Sequence, residues 1–416
     1  MQIAKHECIY CGSDGPFSDE HVFPAGMGGD DKSYLLSNIV CAACNSDFSK
    51  FETTLMRRSI VALARIFNQP YGRTKGEPPE FDTLETHTID DHGRLIESSY
   101  KGSQIEPLAQ LIFTGSIIES TASNIDQLNS FLKTMAELLF NETLLLIEKL
   151  SNQKSARFQV STLKLVNRDY QVQSKETLAK PPKKGIWLAY SHGTDKNKAP
   201  IPPRIFRRTK GEIVLKTHDS TLVGKLLGSA KRTLPNIIED SIKSSTAQIQ
   251  TPLISTTIEG WSNDCDRAIA KIGFNLLVKH LGTEVASLPE FSEIKQAILN
   301  KDSQMPFSLF SDLKLKKEVF GNIPKNCHCL LLTALPTSNS KINIMFLSVL
   351  YGNIGVWSIL AENVSSTYLR SPAYFLVDYI TNQITRLGMI DYHTNYNPLV
   401  TELLKRRPEP FYFTLE

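Results

Sequence analysis

Only seven of the 416 residues are cysteine and three are tryptophan. No apolar run reaches the roughly 18 residues that a membrane-spanning helix requires, so no membrane partner is expected. An excess of one charge is missing too. Lys and Arg number 46 against 43 Asp and Glu, a formal net charge of +3, and so weak a global field argues neither for nor against a nucleic-acid partner. Any grip on phosphate must come from local patches. The first residues, Met1 to His6, lack the apolar core of a secretory signal, and a cytoplasmic chain is expected. There is no internal repeat and no low-complexity tract. The length exceeds what one core usually serves, which predicts two or three domains.

The few cysteines are unevenly placed. Cys8, Cys11, Cys41 and Cys44 lie near the start, and Cys265, Cys327 and Cys329 follow much later. Cys8-Ile-Tyr-Cys11 and Cys41-Ala-Ala-Cys44 are two C-x2-C knuckles. Each pair can bite one tetrahedral metal, and both together complete a closed four-thiolate site with Zn–S bonds of about 2.3 Å. In a reducing compartment this reading is preferred to disulfides. A module of this size buries little apolar surface, so zinc is expected to supply much of its folding free energy. His6, beside the first knuckle, reads as a neighbour rather than a ligand. Cys327-His328-Cys329 has strand alternation, with both sulfurs on one face, and reads as buried strand cysteines rather than a second metal site. Ser191-His192-Gly193 has no triad context.

Between the knuckles, Glu20-His21-Val22-Phe23-Pro24 reads as a short extended segment that stops at proline. Gly26, Gly28 and Gly29 permit unusual backbone angles. Asn38-Ile39-Val40 reads as a second strand. From Cys41 the periodicity turns helical, with Phe48, Phe51, Leu55, Ile60 and Leu63 on one face and Lys50, Arg57, Arg58 and Arg65 expected at exposed positions.

Glu-His-x-x-Pro, a Gly-Gly loop, Asn-Ile-Val-Cys and Cys-x-x-Cys-Asn, in this order, resemble the zinc-containing branch of the HNH endonucleases, which have the ββα-metal fold. The resemblance covers roughly residues 5–66. It implies that His21 is the general base, Glu20 and Asn45 are ligands of a catalytic Mg²⁺ or Mn²⁺, Asn38 braces the loop and orients the histidine, and the four cysteines hold a structural zinc. Family members often carry Asp where Glu20 stands and His where Asn45 stands; both replacements keep an oxygen ligand. The chemistry suits these residue types independently. A neutral imidazole can accept a proton from water. A hard cation on a few oxygen ligands can bind a phosphate oxygen and the leaving oxygen.

The fold class expected is α+β. Residues 1–68 are read as the nuclease module, 69–81 as a proline- and glycine-rich linker, and 82–416 as a large mixed α+β region with a sub-boundary near 180–204. Within it, Thr83–Ser98 reads as a hairpin, Leu108–Ile118 as a strand, Ile125–Leu150 as one long amphipathic helix and Phe158–Val172 as a strand. Strands are also expected at Ile186–Tyr190 and Ile205–Lys216. Helices are expected at Ser220–Ser244, Asp264–Leu281 and Glu290–Asn300, and a late meander at Cys329–Leu335, Ile342–Leu350 and Gly355–Leu360. The Asp264–Asn275 helix is similar to one found after HNH modules, with no function attached; Arg267 and Lys271 on it read as a solvated face more readily than a phosphate contact.

Basic clusters occur at Lys180–Lys184, Arg204–Lys210, Lys231-Arg232 and Lys405–Arg407. The second, with Arg204, Arg207, Arg208 and Lys210 around Phe206, is the best candidate for nucleic-acid contact, with Arg57 and Arg58 as helpers. Help is needed, because residues 1–66 carry eight acidic side chains against six basic ones and have little reach for phosphate. The expected partner is nucleic acid, DNA before RNA, in a role such as bacterial defence. The large region is left to recruit substrate, sense a signal or form homo-oligomers. The rival readings are a non-catalytic zinc ribbon that docks nucleic acid or protein, and an RNA-directed nuclease.

Overall fold

The computed structural model describes residues 7–29, 32–72, 76–150, 157–191, 201–242, 252–303, 307–310, 313–338, 340–369 and 371–397. His6, His192 and the Lys405–Arg407 cluster lie outside them. The architecture is mixed α+β, and the chain divides into two compact units. The first comprises Met1–Thr83, Lys101–Ser103 and Ile258–Glu416; the second comprises Leu84–Tyr100 and Gln104–Thr257.

This division differs from the expected one. Residues 69–81 fall in the first unit together with the N-terminal module, and Asp82 N, just past them, donates to Arg57 O at 2.7 Å. Residues 180–204 fall inside the second unit, where strands Ile186–Tyr190 and Arg204–Arg207 belong to the same sheet.

In the first unit, β1 (Phe17–His21) and β2 (Leu35–Cys41) pair antiparallel. The Ser18↔Val40 and Glu20↔Leu36 pairs leave a bulge between them, where Asn38 takes φ +57°. This is a left-handed position that Asn tolerates better than other side chains. Helix α1 (Ala42–Arg58) starts at Cys41, whose sulfur accepts from Cys44 N at 3.4 Å and so caps the helix. The helical pattern read through Leu63 is broken at Ser59. Its hydroxyl donates to Leu55 O at 2.6 Å and accepts from Val61 N at 3.0 Å, ending α1 and capping α2 (Ile60–Asn68).

The other part of this unit is a six-stranded antiparallel sheet. Its order is Phe307–Phe310, Ile354–Ser365, Lys341–Leu350, Cys327–Ser338, Ala373–Asp378 and Gln383–Gly388. The Asn263–Leu281 helix packs in one core with this sheet and with α1. Gly273 makes that approach feasible, because a Cβ there would stand 2.6 Å from the Phe346 ring. Phe48, Phe51, Phe274 and Phe346 all belong to this core. The last two strands gave no signal in the reading above.

The second unit is built on an eight-stranded sheet. Ile186–Tyr190 runs parallel to both Thr143–Leu150 and Ile213–Thr217, and the other pairings are antiparallel. Helices Ile125–Leu139 and Val223–Ile242 cover it. The single long helix expected over Ile125–Leu150 is a correction. It ends at Phe140, and Thr143–Leu150 is a strand. A short apolar run such as Leu144 to Ile147 fits either period, and pairing on both edges decides for strand. Phe158–Val172 is likewise two strands, Arg157–Val166 and Asp169–Leu178, joined through Asn167 and Arg168 at positive φ. Leu108–Ile118 is also a hairpin rather than one strand. Among the described residues no helix is long and apolar enough to cross a membrane.

Candidate functional site: a thiolate cluster and the hairpin beside it

The four predicted thiols converge. The sulfurs of Cys8, Cys11, Cys41 and Cys44 lie within 4.8 Å of one another, the one such group of three or more His, Cys, Asp or Glu ligand atoms among the described residues. Cys11 and Cys41 sulfurs are 3.6 Å apart, close to the roughly 3.8 Å edge of a tetrahedron with 2.3 Å bonds. Backbone N–H groups already point at the sulfurs, as Cys41 N does at Cys8 Sγ, 3.4 Å. The Cys8 thiol is pushed down to about 4, first by its hydrogen bond with Cys44, against its own burial; the same contact pushes Cys44 up. Thiolate character and tetrahedral spacing fit a structural zinc.

At the other end of the hairpin, His21 closes β1 opposite Leu35. The residue is partly exposed. Asn45, in the first turn of α1, donates through Nδ2 to Ser18 Oγ and to Asp19 O, both at 2.9 Å. The last letter of the motif is therefore fastened onto β1. Asn38 is exposed, and among the described residues no hydrogen bond joins it to His21. Its backbone occupies the left-handed position at the bulge between β1 and β2.

Glu20 is buried. Its Oε1 accepts from Asn275 Nδ2 at 3.1 Å and is in direct ion-pair contact with the Lys271 ammonium. Lys271 also donates to His21 O at 2.8 Å and to Glu52 Oε1 at 2.5 Å. Asn275 Nδ2 reaches the same His21 carbonyl at 3.0 Å, and Tyr10 OH donates to Asn275 Oδ1 at 2.6 Å. One helix thus places two fully buried polar side chains behind His21. Burial works against the ammonium, but the charges of Glu52 and Glu20 outweigh it, and the Lys271 pKa lies above its ordinary value.

Arg267 and Lys271 do not form a solvated face. Arg267 lies 4.6 Å over the Phe51 ring and donates to Ile298 O at 2.9 Å. Lys279, two turns past Lys271, donates to Leu35 O at 2.9 Å. A signal for this was available. From Ala268 to Val278 the helix is apolar almost all round, which marks it as buried. Polar residues at positions 267, 271 and 275 must then find partners inside. Glu52 and Tyr10 carried no comparable mark.

The loop after β1 is also clamped. His328 Nδ1 accepts from Tyr351 N at 3.2 Å, so Nε2 carries the proton and donates to Met27 O at 3.1 Å. Gly28 has φ +79°, and a Cβ there would lie 2.7 Å from Tyr379 Cα. Cys327 and Cys329 are buried strand cysteines, as expected.

The predicted nucleic-acid contacts fare unevenly. Arg57 pairs with Glu80, and Arg58 sits 3.6 Å from Asp82 and 4.0 Å from Glu259. Both are half-exposed and already neutralised. Arg65 is buried rather than exposed, donating to Met56 O at 3.2 Å. Arg204 is a correction. Its side chain is fully buried in the second unit, where it donates to Leu95 O at 2.7 Å and stands 3.9 Å from Glu97. Burial would raise the Glu97 carboxyl, yet His87, Lys216 and Arg204 hold it down at about 2. Arg207 donates to Ser130 Oγ at 2.9 Å and Arg208 to Glu212 at 3.3 Å. Lys210 lines an open cleft of about 490 Å³ with Lys183, Lys184 and Trp187. Two basic clusters far apart in sequence meet there.

A family model described as HNH endonuclease matches residues 8–59, the span that holds the thiolate cluster, β1, β2 and α1. Such a domain implies a nucleic-acid substrate. No curated protein and no solved structure matches the chain.

Proposed function

We propose that the chain is a metal-dependent nuclease that hydrolyses phosphodiester bonds of DNA, with His21 as the general base. The observation that carries this reading is the arrangement of one hairpin. Its Cys end is gathered into a zinc-compatible cluster; at its other end His21 is partly exposed, and Asn45 is fastened to the same strand through Ser18 and Asp19.

His21 takes a proton from the attacking water at the ring. Among the described residues no hydrogen bond occupies that ring, so both nitrogens can serve. Asn45 gives both its described hydrogen bonds through Nδ2, and Oδ1 stays available as an acceptor. Glu20 engages its partners through Oε1. Burial raises the Glu20 carboxyl above its ordinary value, against the pull of the Lys271 charge. These oxygens fit a hard divalent ion, and Glu20 and Asn45 would hold it. Mg²⁺ or Mn²⁺, if bound by Glu20 and Asn45, would supply charge compensation for phosphodiester hydrolysis. Within the second unit, the cleft with Lys183, Lys184, Lys210 and Trp187 offers ammonium groups and a ring suited to phosphate and base.

A second reading is favoured by one observation, the burial of Glu20 against Lys271. If that carboxylate is purely structural, the module is a non-catalytic zinc ribbon. Full-length protein should be incubated with supercoiled plasmid, linear duplex, single-stranded DNA and RNA, each in Mg²⁺, Mn²⁺ or EDTA. The nuclease reading predicts nicked plasmid with either cation and none in EDTA. Intact substrates under every condition leave the ribbon standing, and cleavage of RNA alone moves the substrate from DNA to RNA.

A further inference from the structure

We infer that Lys271 and Asn275, on the Asn263–Leu281 helix, are positioning residues of the nuclease centre: they fix the His21 peptide group and the Glu20 side chain, so the centre is completed by a helix outside the family-matched segment. The inference rests on the nuclease reading of His21 given above.

β1 ends at His21, and the last register pair of the hairpin is His21↔Leu35. The peptide that follows His21 is held from both sides: its N–H, on Val22, donates to Tyr34 O across the hairpin at 3.4 Å, and its carbonyl, on His21, accepts from Lys271 Nζ at 2.8 Å and Asn275 Nδ2 at 3.0 Å on the helix. Two donors on one carbonyl fix the peptide plane that follows His21. With the strand pairing that holds the peptide before His21, this sets the direction of its Cα–Cβ bond, and only the two side-chain torsions remain for the imidazole. The same two nitrogens fix Glu20 Oε1. Both side chains are fully buried, so no water competes for these contacts. Across the hairpin, Lys279 holds the partner residue through Leu35 O at 2.9 Å. The spacing 271, 275, 279 places all three on one stripe of the helix, and this stripe follows the open end of the hairpin residue by residue.

Asn275 also reaches the zinc end. Its Oδ1 accepts from Tyr10 OH at 2.6 Å, and Tyr10 lies between the two cysteines of the first knuckle. A single amide therefore joins the knuckle to the peptide group of the general base. Catalytic geometry has little tolerance, since a displacement of about 1 Å can cost about 100-fold in rate.

The test compares full-length wild type, His21→Ala, Asn275→Ala and the double variant Lys271→Met/Glu52→Gln, which keeps the cluster's net charge. Plasmid nicking is measured as kcat and KM, with zinc content and melting temperature on the same samples. The expected result is a fall in kcat of about 10- to 100-fold in the Asn275 and Lys271 variants, with KM, zinc and cooperative melting retained. A loss through partial unfolding alone would instead lower zinc content and break the cooperativity of melting together with activity. If His21→Ala is inactive while both variants keep wild-type kcat, the positioning role is wrong and the nuclease reading survives. If His21→Ala nicks as well as wild type, the nuclease reading itself fails, and this inference with it. Should either variant not fold, Tyr10→Phe replaces it. It removes one hydrogen bond on Asn275 and keeps the ring. A lowered kcat at unchanged KM supports the proposal, and an unchanged kcat overturns it.

Discussion

The two ends of the N-terminal hairpin are held by opposite means. At the knuckle end, four sulfurs from nearby positions in the chain meet within 4.8 Å, and one of them caps α1. At the His21 end the contacts come from 244 to 254 residues downstream, through Lys271, Asn275 and Lys279. Closure by local ligand pairs is self-contained, and its spacing announces it. Closure by a distant helix is not announced, and it means that the matched segment 8–59 carries the motif without all of its support. The fold serves both. The core that contains Cys8 and Phe48 continues through Phe274 to Phe346.

The largest effect that bears on this contrast should come from Cys41→Ser. Structural zinc contributes about 10 kcal/mol or more to small modules, and Cys41 is also the cap of α1. The variant should lose its zinc and become open to proteolysis within the first 68 residues. A folded, protease-resistant, zinc-free variant would erase the distinction between the ends.

Next is the polar end. Lys271→Met leaves the buried Glu20 and the partly buried Glu52 without their ammonium and should cost about 3–5 kcal/mol in urea unfolding. Adding Glu52→Gln should recover part of that loss, because it removes one of the uncompensated charges. An unchanged urea midpoint for Lys271→Met would show that the distant helix does not hold this end.

A smaller effect tests the glycine loop. Burial lowers the His328 pKa to about 3 from its ordinary 6.5. Because the folded value lies below the unfolded one, the unfolded chain takes up the proton first. Stability is therefore full above about 6.5 and is lost as pH falls toward 3, at up to about 1.4 kcal/mol per unit. Between pH 6.5 and 5, His328→Asn should flatten the urea stability profile by about 2 kcal/mol relative to wild type. Identical slopes would mean that His328 is not held neutral against Met27 and Tyr351.

How much of this was legible follows from the same contrast. The knuckles, the β1–β2–α1 order, the Asn263–Leu281 helix and the late meander could be read, because each depends on residues close in sequence. The thiolate site could be read for the same reason. The side of Glu20 could not. A charged residue in a short strand gives no sign of whether it meets solvent or a buried ammonium, and that depends on Lys271. Arg204 misled for a parallel reason. A basic residue in a cluster with Arg207, Arg208 and Lys210 looks like surface, but strand alternation turns Arg204 inward to Glu97. Thr143–Leu150 misled through its leucines, which satisfy helix and strand periods alike until neighbouring strands choose.

The account depends most on one imidazole. The direct test is the initial rate of plasmid nicking in Mg²⁺ by wild type and His21→Ala at matched zinc content and melting temperature. A loss of about 10²- to 10⁴-fold, the range for a general base, is the predicted result. Equal rates from the two proteins would contradict it.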